Sequence, residues 1–418
     1  MSVSPLGVSP LQSDLLPNGV QVLSEEIAGV RSASVGIWIR QGAAHEEPLE
    51  LGASHLLEHL VFKGTERRSA RDLALALEGL GGSLDAYTSR EHTSFQARVL
   101  DEHLPEALDV LADLTLAPLL RGEDLDLERE VVLEEIATVE DTPDDLVFEL
   151  HGERLWEGHP YGHSILGTRQ TVAGMPTAAL ERIHRERYVG RNLVVAAAGN
   201  VQHGPFVEAV ERLFGGVAAG ARNERVPALP PATRGDERVR RESAQSHLVF
   251  GTAVPPHADP RRFALVLLSS ALGGGMSSRL FQRIREELAL AYTVYTYQSF
   301  YALAGLSGVY VGTRPAWEQR AVDAVREELG RVAREGLPGD ELEQTKRQVK
   351  GQIMLSLEST GARLYRLAGF ALYDEPFVDL DELLARIDAV GADDVASAAA
   401  DFYHPDRQLL LRLGPDGE

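Results

Sequence analysis

The stretch Tyr188-Val-Gly-Arg-Asn-Leu-Val-Val-Ala-Ala-Ala-Gly199 decides how this chain is organised, because a counterpart recurs near the end of the chain. The counterpart is Tyr403-His-Pro-Asp-Arg-Gln-Leu-Leu-Leu-Arg-Leu-Gly414, which again carries an apolar run typical of a buried strand. A second pair aligns Ala33-Ser-Val-Gly-Ile-Trp-Ile-Arg40 with Ser246-His-Leu-Val-Phe-Gly-Thr-Ala253. Because the offsets of the two alignments agree within the length of a short loop, the sequence predicts an internal repeat.

Each half of the repeat shows the same order of patterns: strands, then helices, then strands and helices again. This order is typical of an α+β fold, and we expect each half to form a mostly antiparallel sheet with helices on one side. In the first half, the expected strands are Gln21 to Glu25, Val35 to Arg40, Thr93 to Val99 and Leu193 to Ala198, and the expected helices are Gly52 to Lys63, Ala70 to Leu80, His103 to Leu114 and Asp124 to Glu140.

The predicted boundary between the halves lies in a low-order segment near the middle of the chain. From about Gly215 to Gly235 the sequence is rich in Gly, Pro and Ala and has no apolar periodicity, which is typical of a linker. We therefore expect one domain at residues 1–220, a linker at 221–235 and a second domain at 236–418.

Composition excludes several classes of function. The 418 residues include 63 acidic and 41 basic side chains, a net charge of −22, and no cysteine. Disulfides and thiolate metal sites are therefore excluded, and the acidic surface disfavours nucleic-acid and anionic-membrane partners. The segment Met1 to Gly19 lacks the pattern of a signal peptide, and no apolar run reaches the roughly 18 residues of a membrane span, so we expect a cytoplasmic protein.

The sharpest local motif is His55-Leu-Leu-Glu-His59, in a segment with helical periodicity. Residues three and four apart share one helical face, so His55, Glu58 and His59 project together. Two imidazoles at this spacing can bind one divalent ion, and the carboxylate between them can reach a water on that ion. The order H-x-x-E-H is that of the inverted zincins.

A catalytic zinc site needs a third protein ligand and one open position. The segment Glu128-Arg-Glu-Val-Val-Leu-Glu-Glu-Ile136 reads as a second amphipathic helix that can face the first one. Its acids also fit a solvated helix face, and spacing alone does not choose among four candidate ligands: Glu128, Glu130, Glu134 and Glu135.

These two segments together resemble peptidase family M16, also called the pitrilysin or inverzincin family. The resemblance extends over essentially the whole chain. Within the family, the chain is similar to the short two-domain bacterial type and to subunits of mitochondrial processing peptidase. In that family a Glu ligand follows the second His at a characteristic spacing, and the residue at that spacing here is Glu135. The resemblance implies that His55, His59 and Glu135 bind zinc, that Glu58 is the general base, and that Glu128 supports catalysis.

The resemblance also implies residues that bind substrate. The stretch Gly81-Gly-Ser-Leu-Asp-Ala-Tyr-Thr-Ser89 looks like the family's edge strand, to which a substrate peptide adds as a further strand. By this match the contact residues are Asp85, Ala86, Tyr87 and Thr88. The family usually has Asn where this chain has Asp85, so a donor to a substrate carbonyl is missing there.

In the second half, Arg285 and Tyr292 match the family's substrate-binding Arg and Tyr, which have the same spacing. An Arg can hold a peptide carbonyl, and a Tyr hydroxyl can donate to the oxyanion that forms during attack. The alternative is that Arg285 pairs with Glu286 or another acid and that Tyr292 packs in a strand. No counterpart of the metal motif occurs in this half.

We therefore expect a zinc metalloendopeptidase with one Zn²⁺ per chain, built from two halves in the clamshell arrangement that the resemblance implies. The expected substrates are peptides or extended protein segments, and the expected assembly is a homodimer or a heterodimer with an inactive relative. The alternatives are a non-catalytic scaffold or peptide-holding subunit and a metal-buffering protein. The same ligands also suit Mn²⁺ or Co²⁺.

Overall fold

The computed structural model describes residues 11–224 and 226–415, which form two compact units. The first unit holds the described residues through Ile136, those within 163–226 and residues 356–377. The second holds residues 137–162, 227–355 and the described part of 378–418. Within these two described ranges, no helix has both the length and the apolar character needed to cross a membrane.

The first half of the chain contains six strands and eight α-helices within its described residues. The strands are β1 (Gln12–Leu15), β2 (Gln21–Glu26), β3 (Ser32–Ile39), β4 (Ser83–Thr88), β5 (Thr93–Leu100) and β6 (Leu193–Gly199). The helices are α1 (Ala53–Val61), α2 (Ala70–Glu78), α3 (Leu104–Leu116), α4 (Gly122–Asp141), α5 (Pro143–Leu155), α6 (Arg169–Gly174), α7 (Thr177–Arg187) and α8 (His203–Phe214). The strands and helices that the sequence predicted are all present, with small differences at their ends.

The second half repeats this order with five strands and six α-helices among its described residues. The strands are β7 (Gly235–Arg240), β8 (Ser246–Val254), β9 (Ala291–Phe300), β10 (Gly305–Thr313) and β11 (Leu409–Gly414). The helices are α9 (Arg262–Gly273), α10 (Glu318–Glu335), α11 (Gly339–Ser356), α12 (Thr360–Leu372), α13 (Leu380–Asp388) and α14 (Ala392–Phe402), and a π-helical segment spans Phe281–Glu287.

The two sheets have the same topology, which confirms the α+β fold with two homologous halves. The strand orders are β1-β2-β6-β3-β5-β4 and β7-β11-β8-β10-β9, which are equivalent strand for strand once β1 is set aside. Each sheet has one parallel pair, β2 with β6 or β7 with β11, and is otherwise antiparallel. Among the described strands, β4 and β9 lie at equivalent ends of the two sheets and each pairs on one side only.

The strand register agrees with the two alignments found in the sequence. Those alignments match Phe250 to Ile37 and Leu410 to Val195. In the first sheet Ile37 of β3 pairs with Val195 of β6, and in the second sheet Phe250 of β8 pairs with Leu410 of β11. The same residue pairing therefore recurs in both sheets.

One face of each sheet is covered by helices of its own half, as the sequence predicted. In the first unit Ile37 and Phe95 of the sheet pack in one apolar cluster with Leu56 of α1, Leu111 of α3 and Val210 of α8. The second sheet packs in the same way against α9, α10 and α14. Burying these aliphatic and aromatic side chains contributes about 1.5–3 kcal/mol for each one.

The opposite face of each sheet is covered by a helix from the other half of the sequence. Leu364 and Leu367 of α12 pack on Trp38 and Val194 of the first sheet. Val147 of α5 packs on Val249 and Leu411 of the second sheet. Each compact unit therefore combines segments from both halves of the sequence. The linker at 221–235 remains a prediction of where the two repeats of the sequence meet.

Polar contacts anchor α12 at both of its ends. Arg363 forms an ion pair with Glu25 of β2, and the hydroxyls of Thr360 and Ser34 hydrogen-bond at 2.8 Å. At the other end Arg40 donates to the carbonyls of the last residues of α12, Ala371 and Leu372. Because Glu25 and Arg363 are both largely buried, losing either partner leaves an unpaired charge, which costs about 3–5 kcal/mol.

At one equivalent position the two sheets carry residues of very different size, Trp38 in β3 and Gly251 in β8. In the first unit the ring of Trp38 packs edge-on against Tyr365 of α12, with ring centres 6.2 Å apart. In the second unit Gly251 occupies the place of Trp38, and His151 of α5 fills the space above it. His151 is completely buried, and its Nε2 hydrogen-bonds the carbonyl of Leu409 at 3.2 Å.

We predict that Gly251→Ala destabilises the second unit, because the new Cβ would lie 2.4 Å from Cε1 of His151. Such overpacking costs about 1–3 kcal/mol of unfolding free energy, which chemical denaturation measures. The matched control is Gly351→Ala in α11, where a Cβ meets open space and a small gain in stability is expected. In a His151→Ala background the cost of Gly251→Ala should disappear; an equal cost in both backgrounds would contradict this packing.

Candidate metal centre

Helix α1 carries the H-x-x-E-H motif and begins at a tightly built turn. Gly52 at its start has a left-handed backbone (φ 90°), and a Cβ there would lie 2.5 Å from the carbonyl oxygen of Leu166. The buried Glu46 carboxylate accepts hydrogen bonds from the backbone N–H groups of Gly52 at 2.7 Å and Ser54 at 2.6 Å. A carboxylate at this helix end satisfies two N–H groups that have no partner within the helix.

The helix directs its apolar side chains into the core and its motif to the other face. Leu56, Leu57 and Leu60 are completely buried in the first unit's core. His55 and His59 keep 12% and 18% of their side-chain surface exposed, and their ring centres lie 4.6 Å apart. Both imidazoles are therefore reachable from solvent.

Helix α4 brings Glu135 to the two histidines. One Glu135 oxygen lies 3.6 Å from Nε2 of His55, and the other lies 3.7 Å from Nε2 of His59. The potential ligand atoms of the three residues all lie within 4.8 Å of one another. Two imidazoles and one carboxylate are the donor set of many catalytic zinc sites, and they leave a coordination position open for water.

Of the four acids that spacing left open, the structure brings two to the histidines. Glu135 faces both imidazoles, and Glu128 accepts a hydrogen bond from Nδ1 of His59 at 2.9 Å. Glu130 and Glu134 lie on the exposed side of α4, so their placement is that of a solvated helix face.

Glu128 is buried and holds His59 in one orientation. Its second oxygen forms an ion pair with Lys63, which lies just after α1. Because Glu128 accepts the proton on Nδ1, the Nε2 lone pair of His59 points toward Glu135 and is free to bind a metal. A carboxylate behind a metal-binding imidazole fixes the tautomer and raises the basicity of the ligand.

The protonation state of His55 suits metal binding. Burial, reinforced by the neighbouring His59, lowers the pKa of His55 to about 4, so its ring is neutral at pH 7. A neutral imidazole offers the lone pair that a metal requires. Nδ1 of His55 is buried and has no hydrogen-bond partner among the described residues, whereas Nε2 is the nitrogen that faces Glu135.

Glu58 lies beside the three candidate ligands and hydrogen-bonds a neighbouring strand. The hydroxyl of Thr88 at the end of β4 donates to Oε2 of Glu58 at 2.5 Å. Burial raises the pKa of Glu58 above its ordinary value, and the Thr88 hydroxyl partly offsets this effect. A carboxylate in this environment is a candidate for proton transfer.

The predicted substrate-binding strand is β4, which lies at the edge of the first sheet. The side chain of Asp85 is exposed, whereas Ala86 packs against the core cluster. Tyr87 points to the α12 side, where its hydroxyl hydrogen-bonds His92 at 3.0 Å and its ring stacks on Tyr365. Among the described strands, none pairs with the outer backbone edge of β4.

Arg285 and Tyr292, the predicted substrate-binding pair of the second half, lie together in the second unit. The Arg285 guanidinium lies 4.4 Å from the ring centre of Tyr292 and 4.7 Å from that of Phe281. Arg285 also forms the expected alternative ion pair with Glu286, at 3.6 Å. Tyr292 is 77% exposed, so its side chain does not pack in the strand as the alternative required.

The sequence did not reveal several residues that support the site: Glu46, Lys63 and Tyr365. Glu46 caps α1 from a loop at a distance along the chain that matches no recognised capping motif. Lys63, just after α1, reaches Glu128 of α4, and Tyr365 comes from the other half of the chain. Each of these contacts joins segments whose proximity is created by the fold.

Comparison with known proteins assigns the chain to a family. Residues 21–169 match the family model described as insulinase, peptidase family M16, and residues 176–349 match the model described as peptidase M16 inactive domain. The chain therefore belongs to peptidase family M16, as its motifs predicted. The first matched region contains the H-x-x-E-H helix and Glu135, and the second contains Arg285 and Tyr292.

Relatives with bacterial sources extend this similarity to nearly the full length. The chain is similar to an uncharacterized zinc protease of Streptomyces coelicolor, with 40% identity over 98% of this chain and 90% of the relative. It is also similar to the uncharacterized zinc protease YmxG of Bacillus subtilis, with 37% identity over 96% of this chain and 97% of the relative.

Solved structures show the same fold. A crystal structure described as peptidase M16 inactive domain from Pseudomonas fluorescens covers 97% of this chain and 98% of its own, with a TM-score of 0.92 and 19% identity. A protease from Helicobacter pylori covers 97% of this chain and 100% of its own, with a TM-score of 0.88 and 20% identity.

We predict that the stability of the first unit falls as pH decreases from about 6.5 to 5. Burial lowers the pKa of His45 and His92 to about 4, so the unfolded chain, unlike the folded one, takes up protons at these residues below pH 6.5. Glu46 acts oppositely, because burial raises its pKa to about 7 and the folded form takes up the proton first. On unfolding near pH 5 these three groups together take up about one proton, or about 1.4 kcal/mol per pH unit.

Denaturant titrations at several pH values measure this slope, and two variants should change it in opposite directions. His92→Gln should flatten the pH dependence, whereas Glu46→Gln should steepen it. A slope that is unchanged in both variants would show that these groups do not titrate as described.

We predict that Glu128→Gln weakens zinc binding by about 10- to 100-fold, because the amide no longer orients His59 as a carboxylate does. Competition with a chromophoric chelator measures this affinity. Glu130→Gln, an exposed change on the same helix, serves as the control and should bind as tightly as the unmodified protein. Equal zinc affinities of the two variants would show that Glu128 does not support metal binding.

Proposed function

We propose that this protein is a zinc-dependent endopeptidase that cleaves peptides or extended, unfolded protein segments. The observation that carries the proposal is the convergence of His55, His59 and Glu135 from two helices, with Glu58 beside them. The names of the relatives, which are called zinc proteases, support the same chemistry. We propose one Zn²⁺ per chain.

The residues divide the work of hydrolysis among them. Nε2 of His55, Nε2 of His59 and a Glu135 oxygen would hold the ion, which when bound lowers the pKa of water and polarises the scissile carbonyl. Glu58 accepts the proton of the attacking water and then delivers it to the leaving amine. Glu128 supports the reaction by holding His59 in the productive orientation.

The free edge of β4 supports a peptide as the substrate class. A substrate strand that pairs with Asp85, Ala86 and Tyr87 through main-chain hydrogen bonds is recognised by its extended shape, so many sequences are accepted. We propose that Arg285 and Tyr292 also bind substrate, Arg285 at a peptide carbonyl and Tyr292 at the developing oxyanion. The exposure of the Tyr292 side chain supports this role.

The proposed working form is a cytoplasmic dimer, either of two identical chains or with an inactive relative. This proposal rests on the resemblance to two-domain members of the family. Light scattering over a range of concentrations measures the assembly, and a monomer at all concentrations would contradict it.

We predict that Glu58→Gln retains bound zinc and loses about 10²- to 10⁴-fold in turnover, because the amide cannot accept the proton of water. The measurement is cleavage of a mixed quenched-peptide library, with and without a chelator and with zinc restored, alongside the zinc content. Glu66→Gln, an exposed change shortly after α1, is the matched control and should cleave normally.

Cleavage that depends on zinc in the unmodified protein and is lost in Glu58→Gln supports the endopeptidase. Turnover at the unmodified level in Glu58→Gln would refute the assignment of the base. Stoichiometric zinc without any cleavage would favour the second candidate, a peptide-holding subunit of the same fold that acts beside another chain.

A further inference from the structure

The hydrogen bond between Thr88 and Glu58 joins the edge strand to the candidate general base. The hydroxyl of Thr88 donates its single proton to Oε2 of Glu58 at 2.5 Å, a length typical of a bond to a charged acceptor. One residue of β4 therefore holds one carboxylate oxygen of Glu58.

Side chains alternate along β4, and this alternation selects Thr88 for the contact. Leu84 and Ala86 point to the same face as Thr88 and pack against the core cluster that contains α1. Asp85 and Tyr87 point to the opposite face, where Tyr87 contacts Tyr365 of α12. Of the predicted substrate-binding residues on this strand, only Thr88 directs a polar side chain toward Glu58.

The backbone around Thr88 is held firmly on its inner side. Thr88 pairs with Thr93 of β5, and the backbone N–H of Ser89 donates to the carbonyl of His92 at 2.8 Å. The hydroxyl of Thr93 donates to the carbonyl of Gln41 at 2.8 Å in the buried core. Because Thr is β-branched and has few rotamers, a fixed backbone also fixes its hydroxyl.

The second unit provides an internal comparison. The strand registers place Gln298 of β9 at the position equivalent to Thr88. Gln298 donates to the carbonyl of Leu265 in α9 at 2.8 Å and lies 3.4 Å from the hydroxyl of Tyr403. In the unit without the metal motif this position binds helix backbone, whereas in the first unit it binds a carboxylate beside the metal ligands.

We infer that Thr88 is a positioning residue for Glu58, and that its side chain serves the base rather than the substrate. This inference rests on the proposed function and deepens it. A Glu side chain has three rotatable bonds, and the Thr88 hydroxyl selects the rotamer from which the carboxylate accepts the proton of the attacking water. Because Thr88 belongs to the edge strand, a peptide that pairs along β4 steadies the strand that holds the base.

Thr88→Val removes the hydroxyl donor and keeps the shape of the side chain and the backbone N–H, whereas Thr88→Ser keeps the donor. We expect kcat for a quenched peptide to fall about 100-fold in Thr88→Val, with KM and zinc content within about twofold of the unmodified values. Thr88→Ser should restore kcat to within several-fold. Glu66→Gln, an exposed change outside the edge strand, is the control and should leave both constants unchanged.

An unchanged kcat in Thr88→Val overturns the inference, and a rise in KM beside it would assign the hydroxyl to the substrate. If the unmodified protein shows no zinc-dependent cleavage, the proposed function fails, and the bond is tested separately by thermal unfolding. Melting temperatures of Thr88→Val, Glu58→Ala and the double variant then form a cycle. Non-additive shifts support the contact, and additive shifts refute it.

Discussion

A sheet with apolar side chains on both faces must be covered on both faces, and this constraint shapes the whole protein. Each sheet obtains one cover from its own half of the chain and the other from a single helix of the other half. The covering helices α5 and α12 occupy equivalent places in the repeat, so the exchange is reciprocal. Neither sheet buries its second apolar face with residues of its own half alone, which makes the two halves mutually dependent.

The metal centre depends on the first of these covered sheets. Helix α1 packs its leucines into the core and thereby turns His55, Glu58 and His59 outward, toward α4. The burial that makes α1 rigid also keeps His55 neutral, while Glu128 and Lys63 balance the charge behind His59. The packing of one face of α1 therefore fixes the positions of the candidate metal ligands on its opposite face.

The second unit shows which features belong to the fold and which belong to the chemistry. It keeps the strand order, the register and the edge strand β9, yet its described residues hold no counterpart of the metal ligands. Where Trp38 of the first unit packs against Tyr365 of its covering helix, the equivalent Gly251 of the second unit lies under His151. The same place in the fold is therefore packed by different residues in the two units.

The sequence by itself determined the repeat, the α+β class, the element order and the H-x-x-E-H helix, because periodicity and short motifs are local properties of the chain. The spacing of the acids on α4 did not identify the third metal ligand, because four glutamates of one helix were all candidates. In the tertiary structure Glu135 faces both imidazoles and Glu128 accepts a hydrogen bond from Nδ1 of His59. Only the tertiary structure decided that α12 covers the first sheet, that Glu46 caps α1 and that Thr88 holds Glu58. These contacts join residues that no local motif connects, and such proximity arises from packing of the whole fold and leaves no local pattern to read.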